Sequence, residues 1–442
     1  RETEAEPFRP VLTTNFKEGV SFATFTPDNK LVYAITNLGR DKSALVLMDP
    51  ATCEELEQLY TNDKYDLGGL WYSDAQKKLL GVSYEGHKGK TRYFFDKATE
   101  EMLGRMERHL RGYEIGIGGS NKAEDKYIVY AGGDRTMGAY YFYDVKSDTM
   151  TKLADLAPWI DEQQMAEMTP VTYTSRDGLE IEGYLTLPVG KTLHNAKNLP
   201  VVVNPHGGPW ARDSWGFNPE VQLLANRGYA VLQMNFRGST GFGRKFTEIA
   251  YGKWGQTMQD DITDGVNWLI EKGIADPSKI AIYGGSYGGY ATLQGIVKDP
   301  DLYACAVDYV GVSNLFSFLQ TIPPYWKPML DMMYEMVGNP EKDAQMLREN
   351  SPALNAERIK TPLLVVQGAN DPRVNINESN QMVDALRKRG VHVDYMVKDN
   401  EGHGFHNEEN RFDFYRAMEK FLGKYLKGIE PEGEIVPESS RR

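Results

Sequence analysis

The segment Gly284–Gly289 constrains the fold of this 442-residue chain more than any other segment. It reads Gly-Gly-Ser-Tyr-Gly-Gly, directly follows the apolar run 279–283 and directly precedes a helical pattern over 287–298. A serine at a strand-to-helix turn, with glycines around it, is typical of a nucleophile elbow, because small residues let the two elements approach closely. A packing turn or a phosphate-binding loop is the alternative for a glycine-rich helix start. The strand and the helix favour Ser286 as a nucleophile.

From about residue 166 the chain alternates between β-rich and helical patterns. A hairpin pattern at 170–174 and 180–187 is followed by six apolar runs, with helical patterns between them. This alternation predicts an α/β fold with a mostly parallel sheet, helices on both faces and chemistry beyond the carboxyl ends of the strands. The apolar runs are 200–204, 230–236, 279–283, 304–309, 362–367 and 391–397; the helical patterns begin at the cap Asn218 and lie near 260–273, 287–298, 375–389 and 408–426.

Two residues farther along the chain complete a hydrolytic constellation with Ser286. A serine hydroxyl needs a base to take its proton, and the base needs an orienting carboxylate. The elbow motif predicts the chain order serine, acid, histidine. Asp371 lies just after the run 362–367, and His403 lies just after the run 391–397. All three residues are therefore predicted at the same edge of the sheet.

Neighbouring residues offer alternatives for the base and the acid. His406 is close to His403, but Asn407 is a predicted cap of the last helix, which assigns His406 to the turn before that helix. Asp371 is preferred over acids that lie inside a strand or crowd the histidine loop, namely Asp394, Asp399 and Glu401. A zinc site formed by His206, His403 and His406 lacks a cysteine cluster or an H-E-x-x-H pattern, so no metal is expected.

Serine chemistry also requires donors for the negative charge that develops on the substrate carbonyl oxygen. The backbone N–H of Tyr287 is expected to be one donor, because it follows the nucleophile. The loop 204–210, Asn-Pro-His-Gly-Gly-Pro-Trp, has the position and composition of the loop that supplies a second donor, although a tight Gly-Pro turn is the alternative. Arg237 is a candidate substrate contact, with a structural salt bridge as the expected role. Phe316, Phe318, Tyr325 and Trp326 are candidates for an apolar pocket or for core packing.

Residues 1–165 follow a different pattern. Three units begin near Phe25, Trp71 and Asn121, and each combines two β-rich runs with an Asp-containing turn. Their spacing of roughly 50 residues is typical of four-stranded propeller blades, and three unrelated β-meanders are the alternative. Three blades cannot close a ring. We expect either that this chain is the C-terminal part of a longer protein with further N-terminal blades, or that the missing blades come from elsewhere; a homo-oligomer is an alternative partner arrangement.

Composition excludes some classes of protein. Fifty basic and 62 acidic residues give a net charge of −12, which argues against nucleic acid as the main partner. No apolar run reaches the roughly 18 residues that span a bilayer, so no membrane association is expected. The cysteines, Cys53 and Cys305, do not form a disulfide framework and do not distinguish between a cytoplasmic and a periplasmic or secreted location. Residues 429–442 are a predicted polar C-terminal tail.

These motifs resemble the prolyl oligopeptidase family of serine peptidases, in particular its acylaminoacyl-peptidase and dipeptidyl-peptidase-like branch. The resemblance is dense over residues 166 to about 427 and looser over 1–165. It is carried by His-Gly-Gly-Pro at 206–209, Asn-Phe-Arg-Gly-Ser-Thr-Gly-Phe-Gly at 235–243, Gly-Ser-Tyr-Gly-Gly-Tyr at 285–290, Gly-Ala-Asn-Asp-Pro-Arg-Val at 368–374 and Glu-Gly-His-Gly-Phe at 401–405.

The resemblance implies an α/β-hydrolase domain at 166–428, preceded by an incomplete β-propeller at 1–165. It implies that Ser286, Asp371 and His403 form a triad, that Gly208 and Tyr287 supply the oxyanion donors, and that Arg373 holds a substrate carbonyl. The expected substrates are short peptides, with no metal or organic cofactor. Two alternatives are a carboxylesterase on the same fold, since a triad does not choose between ester and amide, and a propeller interaction protein with an inactive hydrolase domain.

Overall fold

The computed structural model describes residues 4–436, which divide into two compact units. The first unit runs to Gln163 and includes the segments Ser214–Phe217 and Thr240–Phe246. The second unit contains Gln164–Asp213, Asn218–Ser239 and the chain from Thr247 onward. No helix in the described range is long and apolar enough to cross a membrane.

Three antiparallel sheets form the first unit, and in each sheet the strand order follows the chain order. This up-and-down arrangement is that of propeller blades, as the sequence pattern predicts. The first sheet contains β1 (Val20–Phe25), β2 (Val32–Thr36), β3 (Ala44–Met48) and β4 (Glu55–Thr61); the second contains β5 (Leu67–Ser73), β6 (Lys78–Gly86) and β7 (Gly89–Phe94); the third contains β8 (Glu114–Ser120), β9 (Lys126–Gly132), β10 (Ala139–Asp144) and β11 (Thr149–Asp155).

The middle sheet departs from the predicted four-stranded repeat. Helix α1 (Lys97–His109) follows β7, where the repeat predicts a fourth strand. The carboxylate of Asp96 caps α1 by accepting the N–H of Thr99 at 2.9 Å. Met102 and Met106 lie on the buried face of α1, within the apolar cluster of the third sheet. The cap and the good helix formers on both sides of Gly104, at 100–103 and 105–108, explain why the local preference is helical here.

An eight-stranded sheet forms the second unit. Its order is β12-β13-β15-β14-β16-β17-β18-β19, in which β13 is antiparallel to both of its neighbours and the other pairs are parallel. The predicted α/β-hydrolase architecture is thereby confirmed. The strands are β12 (Met168–Thr174), β13 (Glu180–Thr186), β14 (Leu199–Val203), β15 (Ala230–Met234), β16 (Ala275–Gly285), β17 (Cys305–Tyr309), β18 (Leu363–Gly368) and β19 (Val393–Lys398).

Helices cover both faces of this sheet, because its central strands are apolar on both sides. On one face α2 and α10 pack against alternate strand residues such as Tyr283 and Val307. On the other face α5 packs against Ile282. The helices are α2 (Pro219–Asn226), α3 (Arg244–Glu248), α4 (Thr257–Glu271), α5 (Tyr287–Lys298), α6 (Leu315–Gln320), α7 (Leu330–Met336), α8 (Ala344–Glu349), α9 (Ile376–Arg387) and α10 (Glu408–Lys427), with 3₁₀ turns at Glu162–Gln164, Pro324–Met329 and Pro352–Arg358.

Part of the chain after α10 is buried, although its composition predicts a polar tail. Ile435 and Val436 are buried in the apolar cluster formed by α2, α10 and the sheet. Two apolar positions of the predicted polar tail 429–442 are therefore packed against the second unit, while residues 437–442 lie outside the described range. Both cysteines are free and buried, and Cys305 belongs to the same cluster.

Candidate active site

Ser286 occupies the turn between the last residue of β16 and the first residue of α5. Its backbone has φ 59° and ψ −117°, a conformation that residues other than glycine rarely adopt. The Ser286 N–H donates to the carbonyl oxygen of Tyr309 at 2.9 Å, which continues the pairing of β16 with β17. The strained turn is the predicted strand-to-helix elbow, and it presents the hydroxyl at the carboxyl edge of the sheet.

The glycines around Ser286 are required by close backbone contacts. A Cβ on Gly284 would lie 2.5 Å from the backbone of Gly288, and a Cβ on Gly288 would lie 2.2 Å from the carbonyl oxygen of Pro205. A Cβ on Gly289 would lie 2.6 Å from the backbone of Gly311. A side chain at any of these three positions would separate α5 from the strands and loops that it contacts.

His403 lies between Ser286 and Asp371, as the chain order of the motifs predicts. Its Nε2 is 3.0 Å from the Ser286 Oγ, and its Nδ1 is 2.7 Å from the Asp371 Oδ2. A carboxylate oxygen can only accept, so Nδ1 carries the proton and Nε2 is left to accept the serine hydroxyl proton. The three side chains, from three loops, therefore form a continuous hydrogen-bonded chain, in which His403 can take the serine proton and the Asp371 carboxylate stays ionised.

The Asp371 side chain is completely buried, and its oxygens are occupied. While Oδ2 accepts from His403, Oδ1 accepts the backbone N–H groups of Arg373 at 2.8 Å and Val374 at 2.9 Å. Three donors around one carboxylate fix its orientation and offset the cost of its burial. The guanidinium of Arg373, by contrast, belongs to an exposed residue that lines the cavity beside Ser286.

Glu401 anchors the loop that carries His403. Its buried carboxylate accepts the backbone N–H groups of His406 and Asn407, each at 2.9 Å, and the side-chain amide of Asn410 at 2.7 Å. Although burial favours the neutral acid, these hydrogen bonds, that of His406 foremost, lower the pKa of Glu401. His406 is itself exposed at the start of α10, so His403 is the histidine that faces the serine.

The loop 204–210 passes beside Ser286 and is held in place by contacts of the His206 side chain. A Cβ on Gly207 would lie 3.5 Å from the Ser286 Cβ. The His206 ring stacks on Phe236 at 4.4 Å, donates from Nδ1 to the Gly207 carbonyl at 2.7 Å, and lies 2.9 Å through Nε2 from the Ser239 Oγ. Burial lowers the pKa of His206 to about 4, so its imidazole is neutral near pH 7 and braces the loop.

Gly208 and Tyr287 line the same cavity as Ser286. Tyr287 is the first residue of α5, so its N–H has no acceptor within the helix and lies at the positive end of the helix dipole. Gly208 has φ +123° and would bring a Cβ to 2.8 Å from the Trp210 nitrogen, so glycine is required there. The predicted oxyanion donors are therefore near the hydroxyl that would attack a carbonyl carbon.

An apolar cavity of about 380 Å³ opens beside Ser286 and His403. Of the four aromatic residues predicted for such a pocket, Phe318 and Trp326 line it, whereas Phe316 and Tyr325 do not. Most of the other wall residues are not predicted from the sequence, although the tryptophan in the loop 204–210 and the methionine-rich segment after residue 328 are signals of an apolar surface. The apolar lining consists of Trp210, Trp254, Val312, Phe318, Trp326, Met329, Met332, Met333 and Val374.

Arg237 has a structural role. Its guanidinium donates to Asp261 at 2.7 Å and to Asp177 at 2.7 Å, and the residue is 5% exposed. Burial opposes its charge, but the hydrogen bonds to both carboxylates raise the pKa of Arg237 above its usual value. Across residues 4–436, no three His, Cys, Asp or Glu side chains are arranged to hold a metal ion.

We expect Gly288→Ala to destabilise the chain, because the added methyl would lie 2.2 Å from the Pro205 carbonyl. Overpacking of this kind costs roughly 1–3 kcal/mol or more. Gly285→Ala is the matched control, since its Cβ would make an ordinary contact at 3.5 Å. The free energy of unfolding from urea titration tests the prediction, and equal stability of the two variants would contradict it.

The residues at this site match a known family. Residues 215–428 match the sequence profile of the Prolyl oligopeptidase family. The chain is 39% identical over 441 residues to dipeptidyl aminopeptidase BIII of Pseudoxanthomonas mexicana, covering 98% of this chain and 63% of that protein. It is 34% identical over 428 residues to dipeptidyl peptidase family member 6 of Caenorhabditis elegans, covering 92% of this chain and 57% of that protein.

Structural comparison agrees on the fold. The structure of a Mycobacterium tuberculosis puromycin-hydrolyzing peptidase matches with a TM-score of 0.79 at 24% sequence identity, covering 96% of this chain and 64% of that one. The chain thus spans between 57% and 64% of the length of these relatives. The sequences of the two relatives align over both units, and the region of residues 215–428, which carries Ser286, Asp371 and His403, belongs to the prolyl oligopeptidase family.

Proposed function

We propose that this chain is a serine peptidase that hydrolyses short peptides through an acyl-enzyme. Ser286 is the nucleophile, His403 the general base and then the general acid, and Asp371 the residue that orients the imidazole. The observation that carries the proposal is the position of His403, with its two ring nitrogens 3.0 Å from the Ser286 hydroxyl and 2.7 Å from the Asp371 carboxylate. This is the arrangement by which a weak alcohol becomes a nucleophile.

Each step follows from this geometry. His403 Nε2 takes the Ser286 proton as Oγ attacks the scissile carbonyl carbon, and the Asp371 carboxylate stabilises the imidazolium that forms. The N–H groups of Tyr287 and Gly208 donate to the oxyanion, and a preorganised donor of this type contributes roughly 10²–10³ in rate. His403 then gives its proton to the leaving amine. The C–N bond breaks and leaves the acyl group on Ser286. Water then attacks the acyl carbon with His403 as the base, the ester bond to Ser286 breaks, and the acid is released.

The apolar cavity beside Ser286 favours peptide substrates that have a bulky apolar side chain on the acyl side of the scissile bond. Trp254 and Phe318 stack at 6.0 Å, and the methionines that also line the cavity are unbranched and adapt to different shapes. Arg373 is the exposed cation on the wall, so we assign it the role of a donor to a carbonyl of the bound peptide. An apolar wall with one cation suits a peptide that inserts its side chain and leaves its backbone at the rim.

Among exopeptidase activities, we favour dipeptide release from a free N-terminus. Two relatives whose sequences align over nearly the whole chain, 98% and 92% of it, are named as a dipeptidyl aminopeptidase and a dipeptidyl peptidase. An acylamino-acid-releasing enzyme of Arabidopsis thaliana aligns at 31% identity over 54% of the chain. The wider alignment supports the dipeptidyl assignment over the acylaminoacyl one.

Ser286→Ala tests the nucleophile. We expect kcat for a chromogenic peptide and for a p-nitrophenyl ester to fall roughly 10⁴- to 10⁶-fold, because the remaining residues can only orient water. The exposed Ser278→Ala variant is the control and should retain full activity. Near-normal peptide cleavage by Ser286→Ala would refute the assignment. If the wild-type chain hydrolyses the ester efficiently but cleaves no peptide, it is an esterase instead.

The apolar cavity predicts the preferred acyl-side residue. Burial of a phenylalanine side chain contributes about 1.5–3 kcal/mol, so kcat/KM for a substrate with Phe should exceed that for Gly by roughly 10- to 100-fold. Met329→Lys should reduce this ratio by placing a charge on the wall. Leu354→Lys, at another position that is also 40% exposed, should leave the ratio unchanged. A preference for Gly or Asp would contradict the proposed pocket.

A pair of matched substrates tests dipeptide release. An Ala-Phe 4-nitroanilide with a free amine should be cleaved at least about tenfold faster than its N-acetyl form, because a dipeptidyl peptidase must pair the substrate ammonium with polar groups (a difference of 1.4 kcal/mol). Mass spectrometry of products from longer free peptides should detect dipeptides. Preference for the acetylated substrate would point to acylaminoacyl release instead.

A further inference from the structure

One tyrosine contacts both the turn that carries Ser286 and the loop that carries His403. Tyr309 is the last residue of β17 and pairs with Gly285 in the register of the parallel sheet. Its carbonyl oxygen accepts the N–H of Ser286 at 2.9 Å. Its ring lies over Gly285, whose Cβ, if present, would be 3.5 Å from the Tyr309 Cδ1. The backbone and ring of Tyr309 therefore contact the turn from one side.

The Tyr309 side chain extends from this turn to the histidine loop. Its hydroxyl oxygen accepts the backbone N–H of Phe405, two residues beyond His403. The ring also packs against Phe405 at 5.3 Å in an edge-to-face arrangement and against Phe414 of α10 at 4.6 Å. A single side chain thus joins the strand next to the nucleophile to the loop that carries the base.

We propose that Tyr309 is a positioning residue, which holds His403 within hydrogen-bonding distance of Ser286. The inference rests on the proposed function, since it concerns how the same two residues are brought together. Tyr309 does not touch the reacting atoms in this arrangement. It acts through the backbone of Phe405.

The loop that carries His403 needs such a contact because the glycines on both sides of His403 allow its backbone many conformations. Gly402 and Gly404 flank His403, and Gly404 has φ +93°, a conformation that depends on glycine. Glu401 anchors the loop to the start of α10 through His406 and Asn407. The Phe405 N–H contact with Tyr309 fixes the stretch between that anchor and the imidazole.

The Tyr309 hydroxyl is suited to accept an N–H. Burial raises the pKa of this phenol, and the nearby Glu220 and Glu401 carboxylates act in the same direction, whereas the Phe405 N–H and Arg411 oppose them. The group therefore stays neutral at working pH. A neutral hydroxyl oxygen offers lone pairs to the Phe405 N–H. Loss of that oxygen would leave the partly buried N–H of Phe405 without an acceptor, which costs free energy. We expect the loop that carries His403 to shift so that this N–H finds another acceptor.

Core packing is the competing explanation, since Tyr309 belongs to an aromatic cluster with Phe405, Phe414 and Tyr415. Tyr309→Phe separates the two explanations, because it keeps the ring and the backbone carbonyl and removes the hydroxyl alone. Tyr415→Phe is the matched control. Its hydroxyl donates to Glu220 at 3.0 Å in the same cluster.

The test compares wild type, Tyr309→Phe and Tyr415→Phe in peptide kinetics and in the rate of labelling by a fluorophosphonate. For Tyr309→Phe we expect kcat to fall roughly 10- to 100-fold with KM within about threefold of wild type, since a displacement of about 1 Å costs on this scale. Labelling should slow by a similar factor. Tyr415→Phe should retain both rates, and thermal unfolding should register any general loss of stability.

Different failures have different meanings. If Tyr309→Phe labels and turns over like wild type, or if only KM rises, the inference is overturned while the proposed function stands. Equal losses in the two tyrosine variants, in parallel with lower unfolding temperatures, would also overturn it in favour of core packing. Absence of labelling in the wild-type chain itself would overturn the proposed function and the inference together.

Discussion

The backbone turn at Ser286 is the constraint around which the second unit is organised. A serine at φ 59° is held only where the surroundings compensate for its strain, and here β17 accepts its N–H while α5 begins directly after it. The close approach excludes side chains from Gly284, Gly288 and Gly289. Since these contacts come from β17, α5 and the loop after β14, the turn requires these neighbouring elements to be in place.

Hydrogen bonds and ion pairs hold the buried polar groups around that turn. Buried carboxylates are each satisfied by several donors, as Asp371 is by three groups and Glu401 by the start of α10. Arg237 joins two acidic residues beneath the loop that follows β15. Unpaired charges in such positions would be costly, and the hydrogen bonds to these carboxylates restrict the loops that carry them.

The sequence predicts the second unit well because its signals are long and local. Apolar runs that end in motif loops identify the strands, and α5 has the predicted bounds 287–298. The role of Tyr309 is not visible in this way, since it is an ordinary strand residue until the topology brings Phe405 to it. The same holds for the cavity wall, where the register of short helices decides that Phe318 faces inward and Phe316 does not. In the first unit, the capped helix α1 overrides the repeat that predicts a strand.

The dependence of the His403 loop on α10 has a consequence for synthesis. His403 follows Ser286 by 117 residues in the chain, and Glu401 accepts hydrogen bonds from backbone N–H groups directly before the last long helix. Because a polypeptide is synthesised from its N-terminus, Ser286 enters the chain well before His403 and α10. The proposed arrangement of Ser286, His403 and Asp371 can therefore form only after the final helix has been synthesised and has packed against the sheet.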